Sequence, residues 1–112
     1  MTLFEKIAAR EIPADIVYED EHTVAFRDLH PIAPTHVLVV PRLPLSGLSG
    51  AGTEHILVLG HCLNAARLVA AQLGLEPGGY RVVINNGEDA GQTVPHLHLH
   101  LLGGRPMGWP PG

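Results

Sequence analysis

Polar and apolar residues alternate one by one in the segment "HLHLHLL", residues 96–102. This period of two is typical of a β-strand, in which residues i, i+2 and i+4 share one face. The pattern predicts a strand with three leucines on one face and three imidazoles on the other. Neighbouring histidine Cα atoms would then lie about 6.6 Å apart. Clustered imidazoles repel each other when protonated, so this face calls for a chemical explanation.

Four other short segments, rich in β-branched or aromatic residues, also predict strands. Residues 15–20 and 22–28 are separated by the turn-like "EDEH" and predict a hairpin, while the remaining two segments are 36–41 and 80–85. Prolines and glycines predict irregular structure in the connections at 30–35 and 42–52.

Two segments have helical spacing. The first runs from a possible N-cap at Thr2 and ends before Pro13, with an apolar face of Leu3, Phe4, Ile7 and Ala8. The second has Thr53 as a plausible cap and Gly74 at the C′ position. Its predicted apolar face consists of Ile56, Leu59, Leu63, Ala66, Ala70 and Leu73. Five strands, one long helix and hairpin connections predict an α+β fold with an antiparallel sheet.

Length and composition narrow the class of protein. The 112 residues fit a single domain, taken as residues 3–112, and no apolar run approaches the roughly 18 residues of a membrane span. Charges interrupt the apolar pattern of the first residues, so no secretory signal is expected. Cys62 is the only cysteine, which excludes an intramolecular disulfide and favours a reducing, cytoplasmic location. Because it falls inside the long helix, Cys62 is predicted to be buried.

The charge pattern argues against two classes of partner. The formal net charge is −4, and the seven Lys and Arg residues are scattered along the chain. There is no basic stripe of the kind that binds a nucleic-acid backbone, and no membrane partner is expected. A bound phosphate would therefore be a small one, held by backbone N–H groups, hydroxyls and imidazoles.

The loop at 86–95 is too long for an ordinary hairpin turn and leads directly into the histidines. Gly91, Gln92 and Thr93 offer N–H donors and a hydroxyl to a phosphate there. Three interpretations of the histidines follow. The middle one attacks phosphorus, or zinc is held by His96, His98 and His36, or the three imidazoles form an exposed polar face.

The segment "HLHLHLL" resembles the His-φ-His-φ-His-φ-φ signature of the histidine triad (HIT) superfamily. Its surroundings, "GYRVVINNGEDAGQTVPHLHLHLLGGRPMGWPPG", resemble the Hint branch, the purine nucleoside phosphoramidases. The resemblance extends over essentially the whole chain, including "FEKIAAREIPADIVYED" and "AFRDLHPIAPTHVLVVPR". It implies a HIT-like fold, with a five-stranded antiparallel sheet, one long helix and a short N-terminal helix. It also implies a homodimer in which the two sheets join into one.

The resemblance assigns roles to residues. His98 would be the nucleophile, His96 would orient it, His100 would contact phosphate or leaving-group atoms, and His36 would be the fourth catalytic histidine. Asp28 would bind the ribose hydroxyls, and Trp109 would lie in a segment that reaches the partner's active site. The base pocket would be formed by Phe4, Ile7, Phe26 and Leu29, and the α-phosphate and leaving group would be held by Asn85, Gly91, Gln92 and Thr93.

Some of these residues also have plainer interpretations. Phe4, Ile7 and Phe26 would be core residues in most folds, and Asp28 could simply cap a turn. Two residues depart from the family pattern. Thr93 stands where serine is common, and Pro95 stands where an aromatic residue is frequent. Neither change removes a reacting group.

The implied function is hydrolysis of the P–N bond of purine nucleoside 5′-phosphoramidates through a covalent nucleotidyl-histidine, with release of the nucleoside monophosphate. Adenosine phosphoramidate, lysyl-AMP and aminoacyl adenylates are candidate substrates, and neither a cofactor nor a metal is required. Two other hypotheses stay open. One is a non-catalytic nucleotide-sensing or partner-binding module, and the other is a metal-dependent hydrolase.

Overall fold

The computed structural model describes residues 1–112. The elements in chain order are α1 (Leu3–Ala8), β1 (Ile16–Glu19), β2 (Thr23–Arg27), β3 (Thr35–Pro41), α2 (Ile56–Gln72), β4 (Tyr80–Val83) and β5 (Leu99–Gly103). The sheet has the strand order β1-β2-β3-β5-β4, and every neighbouring pair is antiparallel. The predicted α+β fold, with its five-stranded antiparallel sheet and its β1–β2 hairpin, is confirmed.

The short helix α1 begins with a capping box. The hydroxyl of Thr2 accepts from the Glu5 backbone N–H at 3.2 Å, and the Glu5 carboxylate accepts from the Thr2 N–H at 3.1 Å. These reciprocal bonds satisfy two backbone donors that the first turn leaves without partners. The predicted N-cap at Thr2 is therefore confirmed. Phe4 and Ile7 are the buried residues of this helix, and they cover one face of the sheet.

The other face of the sheet packs against α2 and carries the larger core. Leu97, Leu99 and Leu101 are each 0–1% exposed and belong to a cluster of 13 buried residues that includes α2. Cys62 is also in this cluster, as predicted. The leucines of the alternating segment therefore lie under the long helix. Burying a leucine stabilises a fold by about 1.5–3 kcal/mol relative to exposing it.

The beginning of α2 differs from the prediction. Thr53–His55 forms a separate 3₁₀ turn, and the α-helix begins at Ile56. Thr53 is therefore not its N-cap, and the Gly52 N–H donates instead to Nδ1 of His55 at 2.9 Å. The other end agrees with the prediction. Gly74 follows the C-cap Leu73 with φ of +74°, the left-handed conformation that glycine adopts without steric cost.

The predicted apolar face of α2 was partly wrong. Ile56 and Leu63 are 62% and 54% exposed, whereas the small residues on the neighbouring face are buried. Small side chains let a helix approach a sheet closely, so they decide which side faces inward. Apolar residues surround much of this helix, and periodicity alone therefore did not define a single face. The buried residues are Cys62, Ala65, Ala66, Val69 and Ala70.

The strand that carries the histidines is shorter than predicted. β5 begins at Leu99, and residues 96–98 lie outside the sheet ladder although they continue its alternation. Their backbone is held instead by the Leu97 N–H, which donates to the Leu45 carbonyl at 2.7 Å. The described helices include none long and apolar enough to cross a membrane.

Candidate active site

A cavity of about 310 Å³ opens on the face of the sheet opposite α2. Its wall combines apolar side chains of α1, β2 and β3 with polar groups at one end. A mostly apolar cavity with a few convergent polar groups is typical of a small-molecule site. The apolar wall includes Phe4, Ile7, Phe26 and Leu38, and the polar end includes Asp28, Thr93, His98 and His100.

His98 presents one free ring nitrogen to this cavity. Its Nδ1 donates to the backbone carbonyl of His96 at 2.7 Å. Because a carbonyl oxygen can only accept, this bond holds the proton on Nδ1 and leaves the lone pair on Nε2. Nε2 has no hydrogen-bond partner, yet the protein contains no buried polar side-chain atom without one, so Nε2 is open to the cavity. The Phe4 ring meets the His98 ring edge-on, with centroids 5.0 Å apart.

His96 is fully buried, and both of its ring nitrogens are occupied. Nε2 donates to the Pro41 carbonyl at 2.8 Å, and Nδ1 lies 3.2 Å from the Thr2 hydroxyl, which donates to it. Burial lowers the pKa of His96, outweighing the opposing effect of the Pro41 bond. His96 is therefore a neutral anchor. Its carbonyl holds His98 and its ring ties the start of α1 to the site.

His36 and His100 form a directed hydrogen-bond chain. The Ile32 backbone N–H donates to Nδ1 of His36 at 3.2 Å, which leaves the His36 proton on Nε2. That nitrogen lies 2.9 Å from Nδ1 of His100 and donates to it. The remaining nitrogen of His100, Nε2, then carries a proton and can donate to a bound molecule. Burial is the main cause that lowers the pKa of His100 to about 4, followed by His98 and His36.

Asp28 has one oxygen engaged locally and one directed at the histidines. Oδ1 accepts from the His30 N–H at 2.8 Å, which is the turn-capping role expected of an Asp at this point. Oδ2 lies 3.5 Å from Nε2 of His36. The residue also lines the cavity. Burial lowers the pKa of His36 although Asp28 opposes the effect.

The predicted base-pocket residues are both core and cavity wall. Phe4, Ile7 and Phe26 are 3–6% exposed and form a core cluster with the neighbouring strands, while their remaining surface lines the cavity. Leu29 is 87% exposed at the rim. Asn85 lies elsewhere, in a second cavity on the far side of His100.

The loop before the histidines is held by its own hydrogen bonds. The Gly91 and Gln92 N–H groups donate to the carbonyls of Glu88 and Gly87. The Gln92 amide accepts from the Gly87 N–H and donates to the carbonyls of Ser46 and Val94. Gly91 and Gln92 do not line the histidine cavity, whereas Thr93 does. Of the three, only Thr93 therefore offers a group to the cavity in this conformation.

Trp109 lies apart from the rest of the site. Its side chain is 82% exposed, and it lines neither the histidine cavity nor the cavity beyond His100. Within one chain, the structure thus brings together all four predicted catalytic histidines but not this residue.

The predicted metal-ligand set of His96, His98 and His36 does not converge. Both nitrogens of His96 are already occupied, as described above. The ligand atoms that do lie within 4.8 Å of one another belong to Asp28, His36 and His100. The sequence did not indicate this combination, because the three residues come from different elements.

Several contributors to the site were missed by sequence reasoning. Thr2 was recognised as a helix cap, but its bond to His96, 94 positions away, had no local signal. The Pro41 carbonyl and the Ile32 N–H are backbone groups whose roles depend only on the fold. Thr2 and Pro41 together occupy both ring nitrogens of His96, whereas the Ile32 N–H sets the tautomer of His36 and, through it, that of His100.

The sequence and the fold are similar to those of several known proteins. Residues 9–107 match the HIT domain. The "14 kDa zinc-binding protein" of Zea mays is 55% identical over 99% of this chain and 88% of its own length. "Adenylylsulfatase HINT1" of Arabidopsis thaliana is 50% identical over 99% and 76%. The "Purine nucleoside phosphoramidase" of Escherichia coli (strain K12) is 46% identical over 96% and 90%. The crystal structure of a HIT family hydrolase from Legionella pneumophila superposes with a TM-score of 0.97 at 46% identity, covering 100% of both chains.

Proposed function

Because the chain belongs to the histidine triad family, we propose that it is a nucleotide-binding hydrolase that cleaves the P–N bond of purine nucleoside 5′-phosphoramidates. The observation that carries this proposal is the free Nε2 of His98, held towards the cavity by the His96 carbonyl. A non-catalytic binding module would not need an unpaired imidazole nitrogen there. The names of two similar proteins, a purine nucleoside phosphoramidase and a HIT family hydrolase, support hydrolysis in general.

The reaction proceeds in two displacements at phosphorus. Nε2 of His98 attacks the α-phosphorus, and a bond forms between these atoms. The P–N bond breaks, and the amine leaves with its electron pair and a proton taken from solvent. Water then attacks the same phosphorus and gives up a proton to solvent, while the P–Nε2 bond breaks, its electron pair returns to Nε2 and the nucleoside monophosphate is released. A covalent intermediate divides one difficult step into two easier ones.

The His96 carbonyl assists the step in which the intermediate forms. As Nε2 bonds to phosphorus, the His98 ring gains positive charge while keeping its proton on Nδ1. The 2.7 Å bond from Nδ1 to the carbonyl then becomes charge-assisted, and such bonds are roughly twice as strong as neutral ones. This interaction strengthens in the transition state, which is the condition for it to accelerate the reaction.

His100 acts as a neutral donor. Its Nε2–H lies beside His98 at the polar end of the cavity, where it donates to a phosphoryl oxygen or to leaving-group atoms. A preorganised donor of this kind is typically worth about 2.7–4 kcal/mol of transition-state stabilisation. His36 positions His100 through the 2.9 Å bond, and the purine and ribose occupy the apolar wall and the Asp28 end of the cavity.

The loop at 86–95 is the least preorganised part of the proposed site for contact with the α-phosphate. The N–H groups of Gly91 and Gln92 are bonded within the loop, so any contact from them to the α-phosphate requires the loop to rearrange. Thr93 needs no such change, since no other group occupies its hydroxyl. Asn85 contributes from the leaving-group side, beyond His100.

The proposal is tested by turnover of AMP- and GMP-linked amines, without added metal, by the wild type and by His98→Ala. Loss of the nucleophile is expected to lower kcat by at least about 1000-fold, the scale of removing a nucleophile from a hydrolase. Retention of full activity by His98→Ala would refute the role of this histidine. The ratio of the AMP and GMP rates gives the base preference.

Metal binding is a second candidate, favoured by the convergence of Asp28, His36 and His100. An ion held there would replace the His36–His100 hydrogen bond and would occupy His100, the residue that contacts the leaving group. We therefore expect a metal to inhibit hydrolysis rather than to support it. Undiminished turnover after chelator treatment is the expected result, and loss of turnover that zinc restores would favour a metal-dependent hydrolase.

We also propose a homodimer in the cytoplasm. β4 is an edge strand with unpaired backbone groups, and such an edge can pair with the same strand of a second copy. α2 carries three large apolar side chains that are between 54% and 75% exposed, those of Ile56, Leu57 and Leu63. Analytical ultracentrifugation should give a mass twice that of one chain. The Leu57→Glu substitution should lower this measured mass. A monomeric wild type at micromolar concentration contradicts this assembly.

A further inference from the structure

A second cavity, of about 510 Å³, lies beyond His100 on the same face of the sheet. It is bounded by β4, β5, the beginning of β3 and the C-terminal segment 105–111. His100 lines both cavities, so a molecule seated at His98 can extend from one into the other.

The charges in this second cavity are unbalanced. Arg81 and Arg105 line it, and no aspartate or glutamate does. Arg81 donates to the Gly108 carbonyl at 2.8 Å, and Arg105 donates to the carbonyls of Ile32 and Pro106. Neither guanidinium forms an ion pair, whereas Arg10 and Arg27 do. Two full positive charges therefore face this cavity with only neutral carbonyls as partners.

The strand register places the backbone of Arg81 near that of His100. Val83 of β4 is the cross-strand partner of His100, and Arg81 is the partner of Leu102. Arg81 and Val83 share a face, since they are two residues apart on one strand. The Cα of Arg81 is thus about 7 Å along the strand from the position opposite His100, in the direction of Leu102 and away from His98.

We propose that this second cavity receives the leaving amine and selects amines that carry a carboxylate, an inference that rests on the proposed function. The guanidinium fork matches a carboxylate in two parallel hydrogen bonds, which gives arginine an advantage over a point charge. The carboxylate is a recognition group only. The P–N bond breaks as described above, the amine nitrogen takes the electron pair and a proton, and the carboxylate leaves unchanged.

Matched substrate pairs test this proposal. The adenosine 5′-phosphoramidates of glycine and glycinamide differ only in a carboxylate against a neutral carboxamide. The phosphoramidates of 4-aminobutyrate and 4-aminobutyramide form a second pair, in which the carboxylate or carboxamide lies further from the amine nitrogen. The measured quantity is the ratio of kcat/KM for the acid to kcat/KM for the amide, in the wild type and in variants. Intrinsic differences in amine reactivity cancel when the variants are compared with the wild type.

We expect Arg81→Gln and Arg105→Gln each to lower this ratio about tenfold for at least one pair, the scale of one charge-assisted hydrogen bond at a partly exposed site. Arg81→Lys should retain part of the preference, because it keeps the charge but loses the fork. Arg42→Gln is the matched control, since Arg42 also donates to backbone carbonyls, those of Asp20 and Ala8, but lies outside both cavities. An unchanged ratio in both Gln variants, for both pairs, overturns the proposal.

A binding experiment separates this proposal from the proposed function. Dissociation constants of the same acids and amides, measured by calorimetry in His98→Ala alone and in combination with Arg81→Gln or Arg105→Gln, give the same ratio without turnover. If the wild type hydrolyses none of these compounds, the proposed function fails while the binding ratio still decides the anion preference. If it hydrolyses both members of a pair and neither arginine alters either ratio, only the anion preference fails.

Discussion

The two faces of the segment 96–102 differ in a way that the alternating sequence does not reveal. The three leucines, Leu97, Leu99 and Leu101, all stabilise the fold in the same way, because burial against α2 is non-directional and depends mainly on the apolar area buried. The histidines on the other face each do something different, because hydrogen bonds are directional and their partners come from elsewhere in the chain. Residues of one type on one face can therefore be equivalent in packing and distinct in chemistry.

The strongest effect on stability is expected on the leucine face. Leu99→Ala removes a side chain that is 1% exposed and leaves a cavity under α2. We expect the free energy of unfolding, measured by urea titration, to fall by about 3 kcal/mol, within the range typical of buried Leu→Ala substitutions.

Leu43→Ala provides the matched control for that change. Leu43 is 45% exposed, and its substitution should alter the free energy of unfolding by less than about 0.5 kcal/mol. Equal effects at the two positions would show that the leucine face is not the packed face.

A smaller, pH-dependent effect is expected on the histidine face. Burial holds the pKa of His100 at about 4, below its ordinary value of 6.5, so the unfolded chain binds more protons than the folded one between these values. Stability should consequently fall as pH decreases from about 6.5 to 4. His100→Gln removes this contribution and should make the decrease shallower in urea titrations over that range.

The decrease should not vanish in this variant, because burial also lowers the pKa of His36 and His96. Identical pH dependence in the wild type and His100→Gln would mean that His100 titrates alike in both states. The histidine face would then be more solvated than its burial indicates.

Much of the fold could be predicted because its signals are local. Alternation identified the histidine strand, and β-branched or aromatic residues identified the other four. Thr2 marked the start of α1, and Gly74 marked the end of α2. The beginning of β5 could not be predicted, because residues 96–98 keep the strand alternation without a sheet neighbour. The inward side of α2 was misjudged because Ile56 and Leu63 are more hydrophobic than the alanines that fit against the sheet.

Only part of the candidate site could be predicted, namely the proximity of the four histidines, but not the hydrogen bonds that orient them. The four histidines were identified from the alternating segment and from resemblance. His98 and His100 line the first cavity and His36 lines the second, whereas His96 is fully buried and lines neither. The tautomer of each ring depends on the Pro41, His96 and Ile32 backbone groups, whose positions only the fold supplies. Arg81 and Arg105 are 24 positions apart in sequence and meet only in the folded chain.

The most direct test of the histidine assignment is to trap the covalent intermediate. Chelator-treated enzyme would be mixed with adenosine 5′-phosphoramidate, quenched in alkali within the first turnover, digested and analysed by mass spectrometry. With His98 as the nucleophile, we expect one adenylyl group per chain on His98 in the wild type and none in His98→Ala. An adenylyl group on another histidine, or rapid turnover without any covalent nucleotide, would contradict it.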